Sequence, residues 1–431
     1  MHLNTKPYKG SRDFYPEEKR LQKYIFNKCR QVVQSYGYEE YDSPIIEPIE
    51  IYKAKTGEEI VNEQTYEFHD RGKRHVVIRP EMTPSVSRMV AAKRQELAYP
   101  LRWYSIPNLW RYERPQKGRL REHWQLNVDI FGLKSIQAEI ELINIINDVF
   151  KSFNAEPKTY EIKVNHRGLT DEILKNYLGL KDASAKKLTT LIDKKTKMDI
   201  NDFIGGVDDI LSTEEKAKNV TEQIMTYLAS KKLSDLPVSV TKSNSYKELN
   251  ELIEKLKDQE VVNVKYDPSL MRGLDYYTGC VFEVYDNNPE NNRAMLGGGR
   301  YDSLVGLFGV EPLPTVGFGW GDVTLINFLK GHHLLEDLSI ETDAYVVLIG
   351  EVEGKASKVI QKLRQSGINL AVDYSRKKIG DQIKVAAKKG ISRVIIIGDE
   401  ELSSGLFKLK DLNSSKEESL SLEDLIKILK K

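Results

Sequence analysis

RYERPQKGRLREHWQLNVDIFG, residues 111–132, carries more structural information than any other stretch of this chain. Its second half alternates as a strand does. Trp124, Leu126, Val128 and Ile130 point one way, and His123, Gln125, Asn127 and Asp129 the other. The first face is apolar and suits a core. The second is wholly polar, which suits a solvated edge or the lining of a cleft. The first half is a loop with Pro115, Lys117, Gly118 and four arginines: Arg111, Arg114, Arg119 and Arg121. Arginine binds phosphate through paired hydrogen bonds and keeps its charge when partly buried, whereas a solvated hairpin more often uses lysine. The cluster therefore points to a polyphosphate substrate beside a polar strand face.

Three other segments concentrate chemistry. In RPEMTPSV, 79–86, Glu81 and Thr83 stand where a strand gives way to a helix, so Glu81 suits an ammonium group or a helix N-terminus. In MRGLDYYTGCVFEVY, 271–285, Arg272 and two tyrosines precede an alternating strand; LGGGRYDSL, 296–304, follows. Three consecutive glycines cost backbone entropy and mark either a tight turn or a close approach to a ligand or chain. They are not a phosphate loop, because the Gly-Lys-Ser/Thr ending is missing. In PTVGFGWGDVTLINFL, 314–329, a strand runs into a helix, with Gly317, Gly319 and Gly321 on one face. That face leaves room for a flat ring or for close chain packing.

Around these segments the elements are those of an α+β domain. Apolar residues at Leu21, Tyr24, Ile25, Cys29, Val32, Val33 and Tyr36 predict a helix from Pro16, stopped at Gly37. Strands are expected at 39–47, 75–79, 101–106, 123–130 and 281–285, and a second helix at 138–153. They succeed one another as a mostly antiparallel sheet would. Residues 166–246 are Lys-, Asp- and Leu-rich without a strand signal and read as a helical insertion, so 1–165 and 247–335 form one domain. From 342 to 431 strands (345–349, 370–373, 393–397) alternate with helices (354–366, 379–389), which implies a separate α/β domain with a mostly parallel sheet.

The 431 residues carry a formal net charge of only +1, so overall charge does not announce a nucleic-acid binder. Two cysteines, Cys29 and Cys280, give neither a disulfide framework nor a zinc site, and no metal site of protein ligands alone is expected. The polar N-terminus and the lack of long apolar runs predict no signal segment and no membrane span, hence a cytoplasmic protein.

In this order the segments resemble the class II aminoacyl-tRNA synthetases. Residues 36–48 are similar to motif 1, whose helix and strand form a dimer interface; 104–132 to motif 2; and 314–329 stand where motif 3 belongs. Residues 272–279 (RGLDYYTG) and 297–302 (GGGRYD) resemble the two signatures of the histidyl-tRNA synthetases. The resemblance implies a homodimeric ligase that activates L-histidine with ATP, carried as its Mg2+ complex, and loads tRNA(His), without a prosthetic group. It implies a class II catalytic fold with a helical insertion and a C-terminal anticodon-binding domain. It assigns Arg111 and Arg272 to catalysis. Arg111, Glu113 and Arg119 would bind ATP. Glu81, Met82, Thr83, Arg111, Gln125, Asp129, Arg272, Tyr276 and Tyr277 would bind histidine, with Asp129 and Tyr277 on the two imidazole nitrogens. A pocket built around two ring nitrogens leaves its polar groups unpaired with an apolar competitor. A non-catalytic, histidine-sensing paralogue of histidine biosynthesis is the alternative; it typically lacks the anticodon-binding domain. One departure stands out: the arginine that ends motif 3 is replaced by Thr324 within Gly321-Asp322-Val323-Thr324.

Overall fold

The computed structural model describes residues 3–53, 64–116, 118–195, 198–272, 276–291 and 293–430. The chain divides into two compact units, Met1–Leu335 and Glu336–Lys431.

A nine-stranded sheet organises the first unit. From one edge its strands run Glu39–Glu40, Leu101–Ser105, Glu122–Phe131, Thr315–Gly321, Ala294–Arg300, Cys280–Asp286, Tyr160–His166 and Val264–Tyr266; Asn108–Trp110 pairs off this path with the start of Glu122–Phe131. All pairings are antiparallel except the outermost one at each edge. The expected mostly antiparallel sheet is therefore present. The predicted alternation of the 111–132 stretch also holds, since Leu126, Val128 and Ile130 enter the main core with Ile143, Ile146 and Phe150 of the helix Gln137–Ser152. The first helix spans Pro16–Ser35. Proline suits its first turn, and Gly37, at φ +80°, turns the chain out where a side chain would be strained. Ile25, Cys29 and Val33 are its buried stripe.

The strand expected at 39–47 is two short strands in two sheets. Glu39–Glu40 lies parallel to Leu101–Ser105, and Ile46–Pro48 lies antiparallel to His75–Ile78 in a separate three-stranded sheet. Pro44 between them has no N–H to give a ladder. The buried Arg79 guanidinium holds the corner, donating to Asp42 Oδ1 at 2.8 Å and to the Ser43 carbonyl at 2.5 Å. The GGG run is likewise no turn; it lies inside the strand Ala294–Arg300.

Residues 166–246 are helical as expected, with helices at Asp182–Lys194, Ile200–Ile210 and Val220–Ala229. They do not close a core of their own. Leu188, Phe203 and Ile224 belong to the same continuous core as Val149 and Phe282. The helix Asn244–Asp258 also runs across the expected boundary at 246.

The second unit holds the predicted strands Ala344–Leu348, Leu370–Asp373 and Arg393–Ile397 in parallel, with helices Glu353–Gln365 and Ile379–Lys388. Its sheet is only partly parallel. Leu406–Asp411 and Glu417–Ser421 add an antiparallel hairpin at one edge.

One signature arginine has a structural task. Arg300 donates from Nε and Nη2 to the two Glu139 oxygens at 2.7 and 2.6 Å, and from Nη1 to the Leu133 carbonyl at 3.0 Å. Glu139 is fully buried, so the pair pins the helix Gln137–Ser152 to the sheet. Removing one partner strands a buried charge. Arg300→Ala is expected to destabilise the fold by about 3–5 kcal/mol, read as a lower midpoint in urea.

Candidate active site

A cleft of about 1250 Å³ opens over the polar face of the sheet in the first unit. Of the residues singled out in the sequence, Glu81, Thr83, Arg111, Glu113, Arg119, Gln125, Arg272, Tyr276 and Tyr277 all line it. They come from the segments 79–86, 111–132 and 271–285, so the sheet gathers positions far apart in the chain.

The glycines explain how these side chains fit. A Cβ on Gly297 would sit 1.5 Å from Arg272 Nη1, and one on Gly299 would sit 2.8 Å from the Tyr277 ring. A Cβ on Gly317 would meet Asp129 Oδ1 at 1.9 Å, and one on Gly319 the Gln125 amide at 2.8 Å. Gly317 pairs with Asp129, and Gly321 with Gln125, across the ladder. Of the two uses open in the sequence, Gly317 and Gly319 serve close packing, making space for neighbouring polar side chains.

Arg272 is the least ordinary residue in the cleft. Its φ of +56° is left-handed, a conformation that costs a side-chain-bearing residue about 1–2 kcal/mol. Its guanidinium lies 5.2 Å from the Tyr277 ring centroid and 3.8 Å from Glu283 Oε1. Its buried Nε has no hydrogen-bond partner among the described residues. On the opposite strand system, Arg111 Nε donates to the Pro80 carbonyl at 2.9 Å, and Arg119 pairs with Glu113 at 3.1 Å. The other two arginines of the loop do not line the cleft. Arg121 packs 4.0 Å from the Tyr112 ring centroid and donates to the Glu113 carbonyl, while Arg114 is exposed.

The amino-acid end is built of buried polar groups. Tyr276 donates its hydroxyl to Glu81 Oε2 at 3.3 Å, and the Tyr276 and Tyr277 rings lie 4.9 Å apart. Two residues assigned to this end stand outside the cleft lining. Met82 is fully buried, with Ser43 Oγ 3.7 Å from its sulfur. Asp129 is buried behind Tyr301, which donates its hydroxyl to Asp129 Oδ1. Burial pushes the Asp129 carboxyl up to about 7, with the Tyr301 hydrogen bond opposing. Tyr301 itself lines the cleft, as do Asn127, Glu283, Lys163 and Arg293. These five went unassigned in the sequence, although Tyr301 lies within the GGGRYD segment.

The motif 3 departure has a local use. Asp322 starts the helix Asp322–Gly331, binds Arg12 Nη2 at 2.7 Å and accepts from the Trp124 N–H at 3.1 Å. Thr324 Oγ1 lies 2.7 Å from the Met295 carbonyl and 2.9 Å from that of Gly321. Both residues thus tie the helix start to neighbouring strands.

Comparison with known proteins identifies the family. A family model described as histidyl-tRNA synthetase matches residues 10–321, and one described as an anticodon binding domain matches 343–431. A histidine–tRNA ligase of Leptospira biflexa is 41% identical over 430 residues, covering 99% of this chain and 98% of that one. One of Thermoplasma volcanium is 38% identical, covering 98% of each. Among solved structures, a histidyl-tRNA synthetase from Nostoc sp. PCC 7120 superposes with a TM-score of 0.81 at 24% identity, covering 100% of this chain and 99% of that one, which speaks for the fold. With a family model spanning most of its length and full-length relatives above a third identity, this chain belongs to the histidyl-tRNA synthetase family.

Proposed function

We propose that the cleft joins L-histidine to ATP and that the chain then loads the histidyl group onto tRNA(His). The observation that carries this reading is the gathering of Arg111, Arg119 and Arg272 with Glu81, Gln125 and Tyr277 around one cleft. In the first step a histidine carboxylate oxygen attacks the α-phosphorus, and the bond to pyrophosphate breaks. Charge grows on the phosphoryl oxygens, so fixed guanidinium groups are worth most there. Arg111 and Arg272 take that role and Arg119 holds the outer phosphates. ATP arrives as its Mg2+ complex, so the ion is part of the substrate. In the second step a terminal ribose hydroxyl of tRNA attacks the histidyl carbonyl, and AMP leaves.

Glu81, Thr83 and Gln125 hold the ammonium of histidine. Tyr277 donates to one imidazole nitrogen. For the other nitrogen, Asp129 works through Tyr301: because the Tyr301 hydroxyl donates to Asp129, its oxygen is left to accept an N–H from the cleft. The regulatory reading is the weaker one, because Arg111, Arg119 and Arg272 all line the cleft and the anticodon-binding match extends over 343–431.

Arg293 supplies the cation on the Thr324 side. It lines the cleft beside Thr324 and makes no ion pair with a described residue. Arg293→Ala is expected to raise the KM for ATP about tenfold with the KM for histidine unchanged, measured in ATP–pyrophosphate exchange; an unaltered KM for ATP removes it from the site.

We read the protein as a homodimer of the cytoplasm. Exposed Ile45 and Ile46, a few residues after the sheet-edge strand Glu39–Glu40 in the chain, support the first point, and among the described residues no helix is long and apolar enough to cross a membrane. The reading as a whole is tested by charging. Purified protein should attach histidine to tRNA(His) with release of AMP and pyrophosphate. Adenylate formation without any charging would remove the second step.

A further inference from the structure

Arg272 is placed by its backbone more than by the contacts of its own side chain. Its Nη1 lies 3.5 Å from the Phe282 carbonyl, at the limit of a hydrogen bond, and its ion pair with Glu283 spans 3.8 Å. A left-handed residue persists only where its surroundings over-determine it. The carbonyls just before Arg272 are held in this way, and from outside the cleft. Asn165, buried on the strand Tyr160–His166, donates from Nδ2 to the Leu270 carbonyl at 3.0 Å. Arg167 donates from Nη1 to the Met271 carbonyl at 3.0 Å. Tyr227, on the helix Val220–Ala229, donates its hydroxyl to the Pro268 carbonyl at 3.3 Å.

Arg167 does more than hold one carbonyl. Its backbone N–H donates to the Gly279 carbonyl at 3.0 Å. One residue thus closes both ends of the stretch 271–279, which carries Arg272, Tyr276 and Tyr277. Asn165, Arg167 and Tyr227 stand outside the cleft lining, whereas Leu270, Met271 and Arg272 are part of it. The three can therefore act on the reaction only through the segment they brace.

We propose that Arg167, backed by Asn165 and Tyr227, is a positioning residue that sets the direction of the Arg272 guanidinium. This rests on the ATP-activating reading above. The test is histidine-dependent pyrophosphate exchange by the full chain, alone and in an Arg272→Ala background. Arg167→Ala removes the hold on Met271 and keeps the backbone bond to Gly279. It should lower kcat about 10–100-fold, the cost of a guanidinium displaced by up to an ångström, with the KM for histidine within about twofold of wild type. Arg167→Lys, which keeps a donor on a flexible stem, should recover part of that loss. Tyr227→Phe, which removes only a hydroxyl, should lower kcat about fivefold. In the Arg272→Ala background neither Arg167→Ala nor Tyr227→Phe should lower kcat further, because the group they position is gone. A wild-type kcat in Arg167→Ala overturns the proposal. So does a loss of the same size in both backgrounds, which marks a purely structural role. Should Arg167→Ala fail to fold, Tyr227→Phe is judged by the same two criteria. Absence of exchange in the wild-type chain would instead overturn the ATP-activating reading, so the two failures are distinct.

Discussion

Arg272→Ala is expected to lower the kcat of histidine-dependent ATP–pyrophosphate exchange by about 10²–10³-fold, the cost of removing one fixed charge stabiliser from a phosphoryl or acyl transfer. Histidine binding should survive largely intact, because Glu81, Thr83, Gln125 and the tyrosines remain. A residue that bears no functional group should have a similar effect. Gly297 faces the Arg272 guanidinium, and a methyl there would lie 1.5 Å from Nη1 and 2.5 Å from Cζ. Gly297→Ala must therefore displace the guanidinium by more than an ångström. Misplacement on that scale is itself worth about 10²-fold. Loss of exchange with retained histidine binding in both variants, measured by kinetics and by titration of histidine, supports the assignment. Normal exchange in Arg272→Ala removes this residue from the mechanism.

Removal of residues 336–431 is expected to separate the two steps. The first unit contains the whole cleft, and its core is closed by its own residues. The second unit has a separate core around Val346, Ile395 and Phe407. Exchange by 1–335 should stay within a few-fold of the full chain. Charging of tRNA(His) should fall by about 10²–10⁴-fold, the usual contribution of a second linked binding module. Unchanged charging would contradict the anticodon-binding role of the second unit.

The lining of the cleft was legible in the sequence where residue types depart from what packing needs. Arg111, Arg119 and Gln125 stand out because a core strand and its hairpin have no use for them, and the cleft collects them. What escaped was geometry set by partners distant in sequence. Asp129 and Gln125 alternate identically, yet Asp129 is covered by Tyr301, which is contributed by another segment of the chain. Nothing in the local period of two distinguishes them. Among the glycines, the run 297–299 was ambiguous between turn and strand. The deciding contacts, with Arg272 and Tyr277, come from a segment some twenty residues earlier in the chain.

The fold divides in the same way. Helices with a clear apolar stripe, such as Pro16–Ser35, matched expectation, because a buried face of period 3.6 is a local property. The break between Glu39–Glu40 and Ile46–Pro48 was signalled only by Pro44, and the Arg79 side chain that holds the corner lies more than thirty residues away. The hairpin Leu406–Asp411/Glu417–Ser421 was missed although Phe407 and Leu409 alternate inward. Its charged outer face reads as loop until the neighbouring strand is known.

The most direct measurement is pyrophosphate exchange into ATP by the purified full-length chain, run with each amino acid in turn. Exchange is expected with histidine alone, since Tyr277 and Tyr301 in the cleft offer a donor and an acceptor to the two imidazole nitrogens. No exchange with histidine at saturating ATP, or equal exchange with an amino acid lacking those nitrogens, would contradict it.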